Sequence, residues 1–411
     1  MEKGSIRVNG RRLAASIQEM ARLGGTSGGG MHRLTVTDED RQARELFLTW
    51  LREIHLDVTI DEMGNIFGRK AGRNPDLPPV LTGSHLDTQP KGGRFDGILG
   101  VMGALETLRT LTEKGIETER AVTIVNWTNE EGTRFTPAML GSGVWTGTFD
   151  RDWAYARTDV SGKTFGGELE RIGYRGKEPA RKWPVQAYYE LHIEQGPVLE
   201  RLGSTIGVPK GILGICWYDL EVEGKANQAG PTPMEDRKDA LCAAAEMVLK
   251  ANELPAKMGG NMVSTVGELY NSPNSRNIIP GRVRFTLDVR SWDYELMDRA
   301  IEDVKNDFRK ISEKRGCPVA MDEIWRIRPT VFDASLVRTV EKKAELLGHA
   351  PHSMVSGAGH DAAYLARVCP TAMIFVPSIE GRSHVEVENT KWEDCEAGTN
   401  VLLQCVLDSA G

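Results

Sequence analysis

Thr82-Gly83-Ser84-His85-Leu86-Asp87-Thr88, followed by Gly92-Gly93-Arg94-Phe95-Asp96-Gly97, is the stretch on which the reading of the fold turns. Pro79-Val80-Leu81 directly before it is a short apolar run of the kind that forms a buried strand, so His85 and Asp87 are expected where a sheet ends and a loop begins. Reacting groups in α/β proteins gather at that edge. Side chains alternate along an extended segment, which puts Asp87 on the same side as His85, where its carboxylate can take the ring N–H and fix the tautomer for a metal. Asp96 arrives after a glycine-rich turn that lets the chain fold back tightly, placing a carboxylate where it can bridge two cations. The same residues also fit a buried histidine bonded to a nearby aspartate, with the glycines serving an ordinary turn.

The segments on either side bear on that choice. A helix is expected over about 97–114, with Ile98, Leu99, Met102, Leu105 and Leu108 at core spacing, and then a buried strand over 121–127, giving a β-α-β order. This strand runs into Thr128-Asn129-Glu130-Glu131-Gly132. Neighbours on an extended segment point opposite ways, so one glutamate can coordinate a metal while the other faces the substrate as a base. A bare acidic pair also fits a solvated loop, but its place after a buried strand, downstream of His-x-Asp, favours the functional reading. A third strand pattern over 188–193 ends by presenting His192. Upstream, helices are expected over 8–23 and 38–55, with Thr37 and Asp38 as N-cap candidates, then a hairpin of 58–60 and 65–68. Gly24-Gly25-Thr26-Ser27-Gly28-Gly29-Gly30 lacks both the Lys-Ser/Thr ending and the preceding strand of a phosphate loop, and reads as a mobile loop bordering the site.

From about residue 213 the texture changes. Strands over 215–222, 263–269 and 283–290 and helices over 239–252 and 294–315 carry no further ligand candidates, which points to an inserted α+β domain. The expected organisation is a catalytic domain in two parts, 1–212 and 330–411, interrupted by 213–329. The second part supplies a helix over 336–347, Gly357-Ala358-Gly359-His360-Asp361-Ala362, a strand over 371–376, Ser383-His384, and a last helix over 394–408.

Composition sets outer bounds. A chain of 411 residues suggests roughly two to three domains. Its formal charge of −7 and the lack of a basic stripe with interleaved aromatics argue against a nucleic-acid partner. No run approaches the roughly 18 apolar residues of a spanning helix, and Met1-Glu2-Lys3-Gly4-Ser5 has no apolar signal region, so no membrane partner and a cytoplasmic location are expected. Six scattered cysteines without a Cys-x-x-Cys pair fit reduced thiols better than a disulfide frame or a zinc knuckle.

His85, Asp96, Glu131, His192 and His384 together make two histidine/carboxylate sites joined by one aspartate. Such donors suit zinc, or manganese, cobalt or nickel, better than calcium or magnesium. Two cations that keep open positions can activate water and polarise a carbonyl oxygen, the chemistry of amide hydrolysis, with Glu130 as the base. A binding protein that merely kept the scaffold would have no use for that base.

The order His-x-Asp, Gly-Gly-x-x-Asp-Gly, Asn-Glu-Glu-Gly-x-Arg-Phe, Leu-His-Ile-Glu-Gln-Gly, Asn-x-x-Pro-Gly, Asp-x-Arg, Gly-Ala-Gly-His-Asp-Ala and Ser-His resembles the dinuclear-metal amidohydrolases that include L-N-carbamoyl amino acid hydrolases, β-ureidopropionase and allantoate amidohydrolase, within the aminoacylase and zinc exopeptidase superfamily. The resemblance runs from about residue 10 to the end. It implies an α/β zinc-exopeptidase-like catalytic domain, a mixed sheet flanked by helices, with an inserted dimerisation and lid domain, and a homodimer built through that insert. It further implies His85, Asp96 and His192 on one metal, Asp96, Glu131 and His384 on the other, and Glu130 as general base and acid. Gln195, Gln228, Asn277, Arg290, Gly359 and His360 match substrate-binding positions, with Arg290 suited to a bidentate grip on a carboxylate. The implied reaction is hydrolysis of an N-carbamoyl amino acid to amino acid, carbon dioxide and ammonia, with allantoate or another ureido acid as the nearest rival substrate and peptidase or aminoacylase activity further off. Two departures stand out. Gln228 replaces a histidine the family generally carries in that segment, so any charged assistance to the transition state from that position is lost. Ser383-His384-Val385 lacks the proline common after that histidine.

Overall fold

The computed structural model describes residues 6–411 and shows two compact units, one formed by the chain up to Gly211 with Val331–Gly411, the other by Ile212–Thr330. In the first, β1 (Asp57–Ile60), β2 (Ile66–Lys70), β3 (Val80–His85), β4 (Val122–Trp127) and β5 (Ala187–Ile193) belong to a nine-stranded sheet in the order β1-β2-β4-β3-β5, continued by Thr371–Val376. β3 runs parallel to β4 and β5, and β5 to Thr371–Val376, while β1 and β2 add an antiparallel edge. Every residue of these four parallel strands is buried, as expected of a sheet covered on both faces, which is why they read as unbroken apolar runs. Helices Ile98–Glu113 and Trp392–Ala410 pack against the strands and each other.

This topology places the site. The chain steps from β3 to β4 on one side and later to β5 on the other, so the order reverses at β3, the switch point where open α/β sheets form a crevice at their carboxyl ends. His85 closes β3, Glu130 and Glu131 follow β4, His192 lies near the end of β5, and His384 follows Thr371–Val376. Parallel strands bring all of these to one edge.

Thr37 caps the helix Asp38–Glu53 by accepting from the Asp40 N–H at 3.3 Å. The glycine segment 24–30 is an ordered turn, contrary to the mobile loop expected: Thr26 N–H donates to Gly30 at 2.9 Å, His32 N–H to Gly24 at 2.7 Å, and Met31 N–H to Gly92 at 2.9 Å. Its remote partner, the Gly92 turn ahead of Asp96, supplies the order that local composition did not suggest. Strands Gly207–Ile212 and His352–Ser356 and helix Leu140–Thr146 had no counterpart in the sequence reading.

The second unit is a five-stranded antiparallel sheet ordered Leu269–Ser272, Arg282–Ser291, Gly214–Glu223, Val319–Ile327, with Val263–Thr265 also paired to Arg282–Ser291. Arg282–Ser291 alternates buried and more exposed residues, and Val283, Phe285, Leu287 and Val289 form a core with residues of helices Ala240–Met258 and Tyr294–Arg315. The single strand expected over 263–269 is two strands on different stretches of one partner. Among the described residues no helix is long and apolar enough to cross a membrane.

Candidate metal centre and active site

Asp96 stands between two groups of donors. His85, Asp96 and His192 form one, and Asp96, Glu131 and His384 the other, with the ligand atoms of each within 4.8 Å of one another. Asp96 Oδ1 lies 3.6 Å from His85 Nε2 and 3.1 Å from His192 Nε2; Oδ2 lies 3.2 Å from His384 Nε2. Glu131 Oε2 is 3.6 Å from His384 Nε2, and Glu130 Oε2 is 3.4 Å from His85 Nε2.

Two backbone carbonyls set the tautomers. His85 Nδ1 donates to the Asp87 carbonyl and His192 Nδ1 to the Ile193 carbonyl, each at 2.9 Å. A carbonyl only accepts, so in each neutral ring Nε2 carries a lone pair; that of His192 also faces the Gly97 N–H at 3.1 Å, and that of His85 faces the Asp96 carboxylate. Lone pair against carboxylate oxygen repels unless a cation or proton lies between them. His85 Nε2 is buried with no hydrogen-bond partner among the described residues. Imidazole and carboxylate donors arranged in this way fit divalent cations of the zinc and manganese type.

Asp87 is placed differently from the sequence reading. Its Oδ1 is 3.9 Å from His85 Nδ1, and its two carboxylate oxygens instead accept the N–H groups of Glu130 and Glu131, each at 3.3 Å. β3 ends at His85, so the strict strand alternation behind that expectation no longer applies two residues on. Asp87 therefore orients His85 with its carbonyl and the glutamate pair with its carboxylate. Asn129 (φ 60°), Gln195 (φ 61°) and His384 (φ 59°) all adopt left-handed backbone beside these groups, a clustering of strain typical of functional sites.

Charge and burial separate the titrations. Burial pushes His85 down to about 4. It acts the same way on His192, but the hydrogen bond and charge of Asp96 prevail and raise that ring to about 9. His384 is likewise raised, against burial, by Glu131 and Asp96. Burial works to raise Asp96, yet hydrogen bonds from His192 and His384 hold it well below the usual carboxylate range. Burial lifts Glu131 to about 8, and burial with the charge of Asp361 lifts Glu130 well above its ordinary value. A carboxyl raised in this way is suited to carry a proton.

The remaining candidates fall in both units. Gln195 Nε2 donates to Asp96 Oδ2 at 2.7 Å, while its Oε1 is buried without a partner among the described residues. The His360 ring packs edge-on against His192, centroids 4.5 Å apart, and its Nε2 is 2.9 Å from Ser356 Oγ; Gly359 precedes it in the turn. In the second unit, Gln228 is exposed on the short strand Asn227–Gln228, which pairs with Ile278–Ile279, and the Asn277 carbonyl accepts the Ala229 N–H at 2.9 Å. Arg290 already forks onto Asp288, Nη2 to Oδ2 at 2.6 Å and Nε to Oδ1 at 3.0 Å, so a substrate carboxylate would compete with an internal one.

Sequence reasoning passed over four residues around the centre. Gln89 Nε2 donates to Glu131 Oε2 at 2.7 Å. Glu388 accepts the N–H groups of Phe95 and Asp96. Asp361 accepts from Ser142 Oγ, and Glu190 accepts from Ser84 Oγ at 2.7 Å, both as buried carboxylates. Asp361 lies inside a motif already singled out, whereas the others carry no local pattern.

Residues 81–408 match peptidase family M20/M25/M40. The chain is a member of that family. It is 43% identical over 404 residues, 98% of its length and 97% of the relative's, to an N-carbamoyl-L-amino-acid amidohydrolase of Rhizobium meliloti. It is 34% identical over 409 residues, 98% of both chains, to the allantoate amidohydrolase of Bacillus subtilis (strain 168). The crystal structure of an amidase of the hydantoinase/carbamoylase family from Burkholderia vietnamiensis matches with a TM-score of 0.96 at 47% identity, covering 99% of this chain and 98% of that one. The mixed α/β fold with its second sheet unit is that of this family, and the chain is a hydrolase acting on amides. Enzymes of the family generally use divalent metals, which the two donor groups around Asp96 accommodate.

Proposed function

We propose that the chain hydrolyses the ureido amide of an N-carbamoyl amino acid, L-α or β, to the free amino acid, carbon dioxide and ammonia. In this reading His85, Asp96 and His192 hold one divalent cation and Asp96, Glu131 and His384 a second, with zinc, manganese, cobalt or nickel matching the donors. The observation that carries it is the pair of donor groups sharing Asp96 with Glu130 beside them. When bound, the cations supply Lewis acidity toward the carbonyl and the attacking water.

The protein's own groups then manage geometry and protons. Gln195, Gly359 and His360 bind the substrate beside the donor groups, and the family resemblance adds Gln228, Asn277 and Arg290 as substrate-binding residues. Glu130 Oε2 takes a proton from water as oxygen adds to the ureido carbon, and Glu130 returns a proton to the terminal nitrogen as the C–N bond breaks. Ammonia leaves, and the remaining carbamate loses carbon dioxide to give the amine. Asp87, through the N–H groups of Glu130 and Glu131, keeps the base and its neighbour in register.

The same reading has two copies associating through the second unit, where Val263, Leu269, Tyr270 and Ile324 are exposed apolar side chains, and a reducing cytoplasm, in keeping with six free cysteines. Sedimentation at micromolar concentration checks the dimer. The allantoate amidohydrolase at 34% identity supports a second substrate reading on the same machinery. Chelated protein resupplied with manganese, cobalt or zinc and assayed for ammonia release from N-carbamoyl-β-alanine, N-carbamoyl-L-methionine and allantoate separates the two. Turnover of a carbamoyl amino acid is expected, and turnover of allantoate alone would select the second reading. Activity on none would leave neither standing.

A further inference from the structure

Glu388 is buried, at 3% exposure, four residues past His384, and belongs to neither donor group. Its Oε1 accepts the N–H groups of Phe95 at 3.0 Å and Asp96 at 3.1 Å, and its Oε2 lies 2.8 Å from the Ser383 hydroxyl oxygen. Ser383 Oγ in turn lies 2.9 Å from Asp96 Oδ2. The Glu388 carboxylate therefore holds Asp96 by its backbone N–H, and the single Ser383 proton, which serves Glu388 Oε2 or Asp96 Oδ2 but not both, links the turn bearing Asp96 to the segment bearing His384. Gly93 belongs to the same arrangement: a Cβ there would run into the Glu388 carboxyl, although the backbone at that position suits any residue.

We infer that Glu388 is a positioning residue that fixes the shared aspartate and the His384 segment relative to each other, so that both donor groups form around one carboxylate. This rests on the two-cation reading given above. It also separates geometry from charge. In Glu388→Gln the amide oxygen still accepts both N–H groups, and the amide nitrogen donates to Ser383 Oγ, leaving the serine proton for Asp96. Glu388→Ala loses all three contacts. Gly93→Ala leaves Glu388 in the chain but displaces its carboxyl.

Wild type and the three variants are stripped of metal, checked by circular dichroism and titrated with zinc against a competing chelator, and their kcat and KM are then measured. Loss of an outer hydrogen-bonding partner typically lowers metal affinity about 10–100-fold. That loss is expected for Glu388→Ala and Gly93→Ala, with kcat falling and KM little changed, and Glu388→Gln is expected to restore most of both. A natively folded Glu388→Ala protein with wild-type zinc affinity overturns the inference, as does Glu388→Gln behaving like Glu388→Ala. If Glu388→Ala does not fold, wild-type affinity in Gly93→Ala overturns it equally. Wild type that takes up no zinc contradicts the two-cation reading itself, and the inference falls with it.

Discussion

His85 Nε2 stands 3.4 Å from Glu130 Oε2, buried and without a hydrogen-bond partner among the described residues. Because Nδ1 of the same ring donates to the Asp87 carbonyl, Nε2 has only a lone pair to offer. In the proposed reading the two neighbours divide the work: His85 offers a lone pair to a cation, and Glu130, raised by burial and by Asp361, offers a group able to hold a proton.

Glu130→Gln keeps the shape and removes the base. Turnover should fall by about 10²–10⁴, the range of general acid–base catalysis, while metal content by elemental analysis stays at the wild-type level. Equal loss of metal would exchange the roles of Glu130 and Glu131.

The two donor groups differ in shelter. The side chains of His85 and His192 are each 1% exposed and that of His384 is 48% exposed. Graded chelation should therefore remove metal in two steps, first from Glu131 and His384, and His384→Ala should retain about half the wild-type metal while His85→Ala loses more. Loss of all metal in one step would contradict this difference.

Metal uptake should release protons. In the metal-free protein His192 titrates at about 9 and Glu131 at about 8, so near pH 7 both hold protons that a cation must displace, whereas His85, lowered to about 4, holds none. Affinity should thus rise from pH 7 toward pH 9, with proton release seen by calorimetry in buffers of different ionisation enthalpy. The sign for stability follows from the same values. His192 binds its proton more tightly in the folded chain than a free histidine, whose ordinary value is 6.5, so that contribution is complete below 6.5 and is lost as pH rises through about 9. Glu131, raised from 4.5 to about 8, acts in the same direction. Metal-free protein should melt at lower temperature as pH rises from 6.5 to 9, and a flat profile would contradict the assignment.

Gln228→His restores a group able to carry positive charge. A charge complementary to a developing oxyanion acts mainly in the transition state, so kcat should change more than KM across a ureido panel, rising on a common carbamoyl amino acid if that is the native substrate. An unchanged profile would place residue 228 outside the working site.

β3, β4, β5 and Thr371–Val376 are legible in sequence because parallel strands buried on both faces are continuous apolar runs, and the polar residues that end them mark the edge of the sheet. Val319–Ile327 escapes that reading because it exposes Asp322, Glu323 and Ile324 and carries an irregularity between Glu323 and Trp325. The order of the glycine segment depends on Gly92, and the place of Glu388 on amides nearly three hundred residues away, so neither leaves a local pattern. The direction of the Asp87 carboxylate is not legible for a smaller reason, since it depends on the strand stopping two residues sooner.

Stepwise reconstitution tests the two-cation ureido hydrolase most directly. Metal-stripped protein receives manganese or zinc in increments while ammonia release from N-carbamoyl-L-methionine is followed against metal bound per chain. Activity that is absent without metal and reaches its plateau at two cations per chain is the expected result. Turnover at full rate with no metal bound, or a plateau at a single cation, would contradict it.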